Sequence, residues 1–95
     1  MDSLQYLLVV TAEEAVEVSH AAHKILRFTP HDSHTPGGPS NLETLEKEVN
    51  DFYAMLEMLA DRGVVINRRQ ELIDCKKTRV SEYMRYSQLL GVVKE

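Results

Sequence analysis

The sequence has little of several residue types that small proteins often rely on. Of its 95 residues, one is cysteine, Cys75, three are proline and none is tryptophan. A single cysteine excludes an intramolecular disulfide, and the chain has no Cys/His spacing typical of a zinc site. Basic residues are outnumbered by acidic ones, 11 to 15, so a nucleic-acid backbone is not an expected partner. No apolar run reaches the roughly 20 residues of a membrane span, and a membrane partner is not expected either.

The residues that are present have the composition of an ordinary folded protein, 43% hydrophobic and 27% charged. So short a chain forms one domain at most and buries a smaller fraction of its surface than a typical domain does. We therefore expect a single domain, residues 1–95, that associates into a homodimer or homotetramer. The apolar run near the first residue follows no Lys or Arg, so a secretory signal is not expected. The lone cysteine favours a cytoplasmic location.

The spacing of apolar residues predicts an all-α fold with three helices. From Asp2 to about Phe28 neither proline nor glycine intervenes. All three prolines and two of the four glycines gather within residues 29–40, which predicts a long loop. The predicted first helix carries an apolar stripe at three- and four-residue steps, made of Leu4, Leu8, Ala12, Ala15, Ala22 and Leu26.

The second and third helices are predicted from capping signals. Ser40 and Glu43 have the form of a capping box, and Gly63 is suited to end the helix that begins there. Asn67 is the predicted cap of a third, basic helix that runs to about Leu90. The stripe of the second helix consists of Leu42, Leu45, Val49, Phe52, Leu56 and Leu59. We expect an antiparallel hairpin of the first two helices plus the third helix, with oligomerisation completing a core like that of a four-helix bundle.

Two pairs of acidic residues border these stripes. Glu14 and Glu17 lie one turn apart on the first helix, and Glu48 and Asp51 repeat that spacing on the second. Antiparallel packing would bring the pairs together as four hard oxygen donors, the ligands that Mg²⁺ and Mn²⁺ prefer. Solvated helix surface is the alternative for any single pair, but the position of both pairs beside apolar residues favours a metal site.

The order EExxE, then a gap of some thirty residues containing a loop, then ExxD, resembles the signature of the MazG-like all-α nucleoside triphosphate pyrophosphohydrolases. The segments EEAVEVSHAAHKILRF and LEKEVNDFYAMLEML are similar to small members of that family found in phages and proteobacteria. The resemblance covers residues 10–60 and extends loosely to the third helix. It implies magnesium-dependent hydrolysis of a nucleoside triphosphate to a monophosphate and pyrophosphate, in the cytoplasm of a bacterium or of a phage's host.

The resemblance also implies roles for individual residues. It makes Glu14, Glu17, Glu48 and Asp51 the magnesium ligands, with Glu13 a candidate catalytic carboxylate near the attacking water. The Lys that related enzymes carry on the last helix has its candidate counterpart in Lys77, or its neighbour Lys76. Lys24 and Arg27 are candidate substrate-binding residues because of their position near the loop, from which they could reach phosphate oxygens, with solvated surface as the alternative. Related enzymes also use an Asn on the last helix, and this chain has Ser81 where that residue is sought. Met55 and Met58 are expected in the core, with a nucleotide-base pocket as the alternative.

Two other interpretations stay open. Glu17 and His20 form a Glu-x-x-His step of the kind used in di-iron bundles, but such sites need two of these steps. His20 and His23 likewise lack a second cluster for zinc. The loop residues His31 and His34 are expected to face solvent. The competing functional class is a non-catalytic helical interaction module that keeps the fold without turnover.

Overall fold

The computed structural model describes residues 1–95 and contains three α-helices and no strand. Helix α1 spans Ser3–Phe28, α2 spans Asn41–Asp61 and α3 spans Gln70–Leu89. The predicted all-α class and the loop between the first two helices are confirmed. None of the three helices contains an apolar stretch of the length that a bilayer crossing requires.

Local hydrogen bonds explain where α1 and α2 begin and end. Ser40 and Glu43 form the predicted capping box, in which each side chain accepts the backbone N–H of the other residue at 3.1 Å. Asp2 and Gln5 form a second capping box at the start of α1, from a D-x-x-Q pattern. After α2, Gly63 has a φ of +86°, the left-handed conformation that ends many helices.

The predicted cap of α3 at Asn67 is wrong. Helix α3 begins at Gln70, with Arg69 in the N-cap position, and no side chain caps its first amides. Arg69 instead pairs with Glu71 at 2.7 Å, and the Arg68 side chain donates to that of Gln70 at 2.9 Å. Residues 64–69 lie outside any regular element, so Asn67 is two residues too early to cap the helix.

Helices α1 and α2 pack against each other as an antiparallel hairpin. At the loop end, Asn41 of α2 donates a hydrogen bond to the backbone oxygen of Thr29. Further along, Glu14 of α1 lies close to Asp51 of α2. Because an earlier position on α1 meets a later position on α2, the two helices run in opposite directions, as predicted.

A different stripe of α1 from the predicted one faces α2. The predicted positions Leu8, Ala12, Ala15 and Ala22 are exposed, and Leu26 is 85% exposed. Both stripes repeat every three to four residues and lie about 100° apart around the helix, so periodicity alone does not choose between them. The covered stripe consists of Leu4, Leu7, Thr11, Glu14, Val18, Ala21 and Ile25.

The core is small and lies between α1 and α2. Its buried apolar residues are Ala21, Met55 and Leu59, and one polar residue, Asn41, is buried with them. The predicted stripe of α2 is confirmed except at Leu42, which is exposed. Met58 is exposed as well, so of the two methionines expected in the core only Met55 is there.

Helix α3 packs against neither α1 nor α2, and none of its residues is buried. The radius of gyration is 17.0 Å, compared with about 12 Å for a compact domain of this length. The accessible surface of 7726 Å² is about 2,100 Å² larger than that of a typical folded monomer of 10.9 kDa. One copy of the chain therefore leaves much apolar surface uncovered.

Candidate metal centre

Three of the predicted metal ligands lie together across the interface between α1 and α2. Glu14 of α1 and Glu48 and Asp51 of α2 each offer one carboxylate oxygen, and these oxygens all lie within 4.8 Å of one another. All three side chains are half-buried. We refer to these three residues as the acidic cluster.

Helix geometry brings the acidic cluster together. Glu14 belongs to the stripe of α1 that faces α2, with Thr11 one turn before it and Val18 one turn after it. Glu48 and Asp51 are three residues apart, so their side chains project from the same side of α2. Acidic side chains at half-buried positions lose part of their hydration. This loss costs free energy unless a cation or hydrogen bonds compensate for it.

The donor set of the acidic cluster fits a hard divalent cation. Carboxylate oxygens are the ligands that Mg²⁺ and Mn²⁺ prefer. Two oxygens on opposite sides of a bound Mg²⁺ are ~4.2 Å apart, because each lies at 2.0–2.1 Å from the ion. The three observed separations, all within 4.8 Å, would shorten around an ion, because three ligands of one octahedral ion include at least two adjacent pairs, whose oxygens are ~2.9 Å apart.

Lys47 supplies a positive charge to the acidic cluster. Its Nζ donates to Asp51 Oδ2 at 2.7 Å. This hydrogen bond raises the pKa of Lys47, the charge of Asp51 raises it further, and Glu48 and Glu14 act in the same direction. All three carboxylates thus act on one ammonium group, and two formal negative charges stay uncompensated, which matches one divalent cation. The role of Lys47 was not predicted, although its four-residue spacing to Asp51 is typical of a helix ion pair.

The other two predicted carboxylates lie outside the acidic cluster. Glu17, the fourth predicted ligand, is exposed and its oxygens do not join the group. Glu13, the candidate catalytic residue, is also exposed and outside the group. The positions of both residues follow from which stripe of α1 faces α2. Because Glu14 is turned toward α2, Glu13 and Glu17 lie on the flanks of the helix.

The predicted substrate-binding residues lie away from the acidic cluster. Lys24 is half-buried near the loop, ten residues beyond Glu14. The Arg27 guanidinium lies 4.8 Å from the centre of the Phe28 ring, a cation–π contact. Lys77 belongs to α3, so one copy of the chain does not bring it to the acidic cluster.

The histidines do not assemble the alternative iron or zinc site. Glu17 and His20 are exposed, and no histidine joins a group of three metal-binding side chains. His23 Nδ1 lies 2.9 Å from the backbone oxygen of Ser19 on the same helix. His34 is exposed as expected, but it also lines a cavity that the sequence did not indicate.

Two cavities open along the hairpin. An apolar hollow of about 140 Å³ is lined by Ala15, Val18 and Phe52. It lies beside the acidic cluster, because Ala15 directly follows Glu14 and Phe52 directly follows Asp51. The second cavity, of about 150 Å³, lies at the loop end, and we call it the loop pocket. Its lining consists of Lys24, Phe28, Asp32, Ser33, His34 and Asn41.

Comparison with known proteins assigns the chain to no family. No protein-family model matches it, and no curated protein or solved structure shows significant similarity to it. Any function therefore has to be argued from the side chains of the hairpin and from the sequence motifs.

Proposed function

We propose that the protein is a magnesium-dependent nucleoside triphosphate pyrophosphohydrolase of the MazG-like kind, which acts in the cytoplasm and converts a (deoxy)nucleoside triphosphate into a monophosphate and pyrophosphate. One observation carries the proposal. The carboxylates of Glu14, Glu48 and Asp51 converge from two helices at half-buried positions, within 4.8 Å of one another. The resemblance of the EExxE and ExxD motifs to that family supplies the reaction.

Each part of the hairpin has a role in this proposal. The acidic cluster would hold Mg²⁺, or Mn²⁺ in its place, and Glu17, which lies outside the cluster here, would have to turn toward the ion to serve as the fourth ligand. The bound ion supplies positive charge against the phosphates and makes water more acidic. Lys47 balances part of the charge of the acidic cluster between turnovers. Glu13 is the candidate acceptor of the proton of the attacking water, and the apolar hollow flanks one side of the acidic cluster.

We also propose that the active form is a homodimer or homotetramer. The excess surface of about 2,100 Å² per chain corresponds to the area that obligate subunit interfaces bury. The exposed stripe of α1, which runs from Leu8 to Leu26, and the uncovered helix α3 are the apolar surfaces available for it. A second copy covering both would complete a bundle-like core. Association with a second copy would also bring Lys77 of that copy to the substrate.

The test is phosphate release from a panel of ribo- and deoxyribonucleoside triphosphates with Mg²⁺, in parallel reactions with and without added pyrophosphatase. We expect phosphate only in the reactions that contain pyrophosphatase, because the primary product is pyrophosphate. Glu48→Gln should lower turnover by on the order of a hundredfold or more, as when electrostatic stabilisation of a transition state is lost. Glu57→Gln is the matched control, since Glu57 is exposed on α2 outside the acidic cluster. Release that is absent for every nucleotide, or equal in Glu48→Gln and the wild type, refutes the proposal.

A non-catalytic helical interaction module is the second candidate, and the exposure of α3 favours it. A helix of 20 residues without a buried side chain is a surface that a partner protein can cover. On this alternative the acidic cluster binds Mg²⁺, which raises the melting temperature, but no nucleotide is hydrolysed. The nucleotide panel separates the two candidates, because both predict that Mg²⁺ raises the melting temperature and only the first predicts hydrolysis.

A further inference from the structure

We propose that the loop pocket binds the base of the nucleotide, and that it takes a single-ring pyrimidine rather than a purine. This inference rests on the proposed function for the phosphate end of the ligand but uses different residues. The volume of the loop pocket, about 150 Å³, is that of a cavity known to hold one benzene-sized ring. A second fused ring would project out of it into solvent and would make fewer contacts with the lining.

Asn41 gives the loop pocket a fixed polar group. The residue is 6% exposed, and its Nδ2 donates to the backbone oxygen of Thr29 at 2.8 Å, which fixes the orientation of the amide. No hydrogen bond within the chain uses its Oδ1. No buried side-chain atom of the chain lacks a partner, so this oxygen is accessible to solvent and is an acceptor open to water or to an N–H group of a ligand.

The backbone at the start of α2 argues against a phosphate in the loop pocket. The N–H groups of Asn41 and Leu42 donate to the backbone oxygens of Asp32 and Pro30, at 2.8 and 2.9 Å. The next N–H, of Glu43, donates to Ser40 Oγ. No first-turn amide is therefore free to bind an anion as helix N-termini often do.

The charges of the lining lead to the same conclusion. Lys24 and Asp32 have opposite formal charges, so the lining is neutral overall, and the carboxylate of Asp32 would repel a phosphate. An uncharged ring that carries both donors and acceptors suits this lining better. Pyrimidine bases carry both kinds of group on their edges.

The lining offers a face and an edge for such a ring. Phe28 provides an aromatic surface for stacking, the interaction by which many proteins hold single bases. Asn41 Oδ1 can accept from a ring or exocyclic N–H, and Lys24 and His34 can donate to ring nitrogens or carbonyl oxygens. The apolar hollow beside the acidic cluster has no polar group in its lining, so it cannot distinguish one base edge from another.

The position of the loop pocket matches the length of the substrate. Lys24 comes ten residues after Glu14, and Asn41 comes ten residues before Asp51, so both helices separate the loop pocket from the acidic cluster by ~15 Å. This separation is comparable with the reach of an extended nucleotide from its base to its terminal phosphates.

An NMR titration of the full chain with uncharged nucleosides, without metal, tests the inference. Cytidine and uridine should shift the amide resonances of Phe28, residues 32–34 and Asn41, and adenosine and inosine should not. Phe28→Ala should weaken pyrimidine binding by roughly 5- to 150-fold, the range that base–aromatic stacking contributes. His34→Ala, an exposed loop substitution, should weaken it as well. His31→Ala is the matched control, because His31 belongs to the same loop but does not line the pocket.

Several results would overturn the inference. These are equal shifts with purine nucleosides, shifts caused by inorganic pyrophosphate but not by nucleosides, shifts centred on Ala15, Val18 and Phe52 instead, or no shifts at all. The titration needs neither Mg²⁺ nor turnover, so it fails separately from the proposed function. Nucleoside binding in a protein that hydrolyses no nucleotide would refute the proposed function and leave the loop pocket intact. Hydrolysis without shifts caused by nucleosides would refute the inference about the loop pocket and leave the proposed function intact.

Discussion

Replacing Glu14 by glutamine is expected to stabilise the metal-free protein and to abolish its response to Mg²⁺. Glu14 lies within 4.8 Å of the carboxylate oxygens of Glu48 and Asp51. Two like charges at that separation repel by about 0.9 kcal/mol in bulk water and by about 3.5 kcal/mol at an effective dielectric constant of 20. Half-buried groups on an open groove lie near the lower value. Removing two such repulsions therefore gains about 1–2 kcal/mol, less the attraction between Glu14 and Lys47 that is lost at the same time.

Thermal unfolding followed by circular dichroism measures this gain. For a domain of this size, 1 kcal/mol shifts the melting temperature by roughly 4–8 °C. The gain should shrink as salt is added, because the Debye length falls from about 10 Å at 0.1 M to about 3 Å at 1 M. Added Mg²⁺ should raise the melting temperature of the wild type through binding to the folded state, and should have little effect on Glu14→Gln.

Glu57→Gln is the control, since it makes the same change of charge at an exposed position outside the acidic cluster. It should leave both the melting temperature and the Mg²⁺ response close to those of the wild type. The reasoning is refuted if Glu14→Gln melts at or below the wild-type temperature without metal, or if it keeps the full Mg²⁺ response. Either result would mean that the three carboxylates do not act on one another.

Four other measurements test neighbouring features. Lys47→Gln should bind Mg²⁺ several-fold more tightly in a calorimetric titration, because the competing ammonium group is gone; unchanged affinity would show that Lys47 does not compete. Thr29→Gly should raise the melting temperature, and Thr29→Ala should not, because Thr29 has a φ of +81° and a ψ of 156°, a conformation that costs a residue with a Cβ about 1–3 kcal/mol. The backbone N–H and side chain of Ser40 lower the pKa of Glu43 below its ordinary value of 4.5. The stabilisation that these hydrogen bonds give the folded state is therefore complete above that pH and is lost as the pH falls through the lowered pKa. Ser40→Ala removes the N-cap hydroxyl of α2, a loss that typically costs about 1 kcal/mol, and should make acid unfolding, followed by circular dichroism, less steep. Leu26→Glu places a charge on the exposed stripe of α1 and should dissociate the oligomer in sedimentation; an unchanged mass would place the interface elsewhere.

Helix boundaries were predictable from the sequence where the signal is local. Ser40 and Glu43 satisfy each other's amides without help from the rest of the chain, and Gly63 needs only its own backbone freedom. Asn67 was misread because a cap residue acts only if the helix begins directly after it. Here the side chains of Arg69 and Glu71 pair across the first turn instead.

The face of α1 that packs on α2 depends on contacts that no local pattern encodes. Two apolar stripes, offset by one residue, satisfy the helical period equally well. The stripe used in the hairpin contains Glu14, a charged residue that hydropathy alone would place outside. Glu14, Glu48 and Asp51 were predictable as candidates from their spacing beside apolar residues. The closure of the loop pocket was not, because it depends on Asn41 reaching back twelve residues to the backbone of Thr29.

The isolation of α3 has a consequence for how the chain folds. A helix of 20 residues without tertiary contacts is only marginally stable in water, because helix nucleation is costly and packing normally compensates for it. If a second copy supplies that packing, the helix–coil equilibrium of α3 becomes coupled to association, and dilution below the dissociation constant would melt α3 while the α1–α2 hairpin persists. The helical content of the protein would then vary with its concentration. Amide hydrogens of α3 would exchange with solvent at the free energy of subunit dissociation, whereas those around Leu59 would exchange only when the hairpin itself opens.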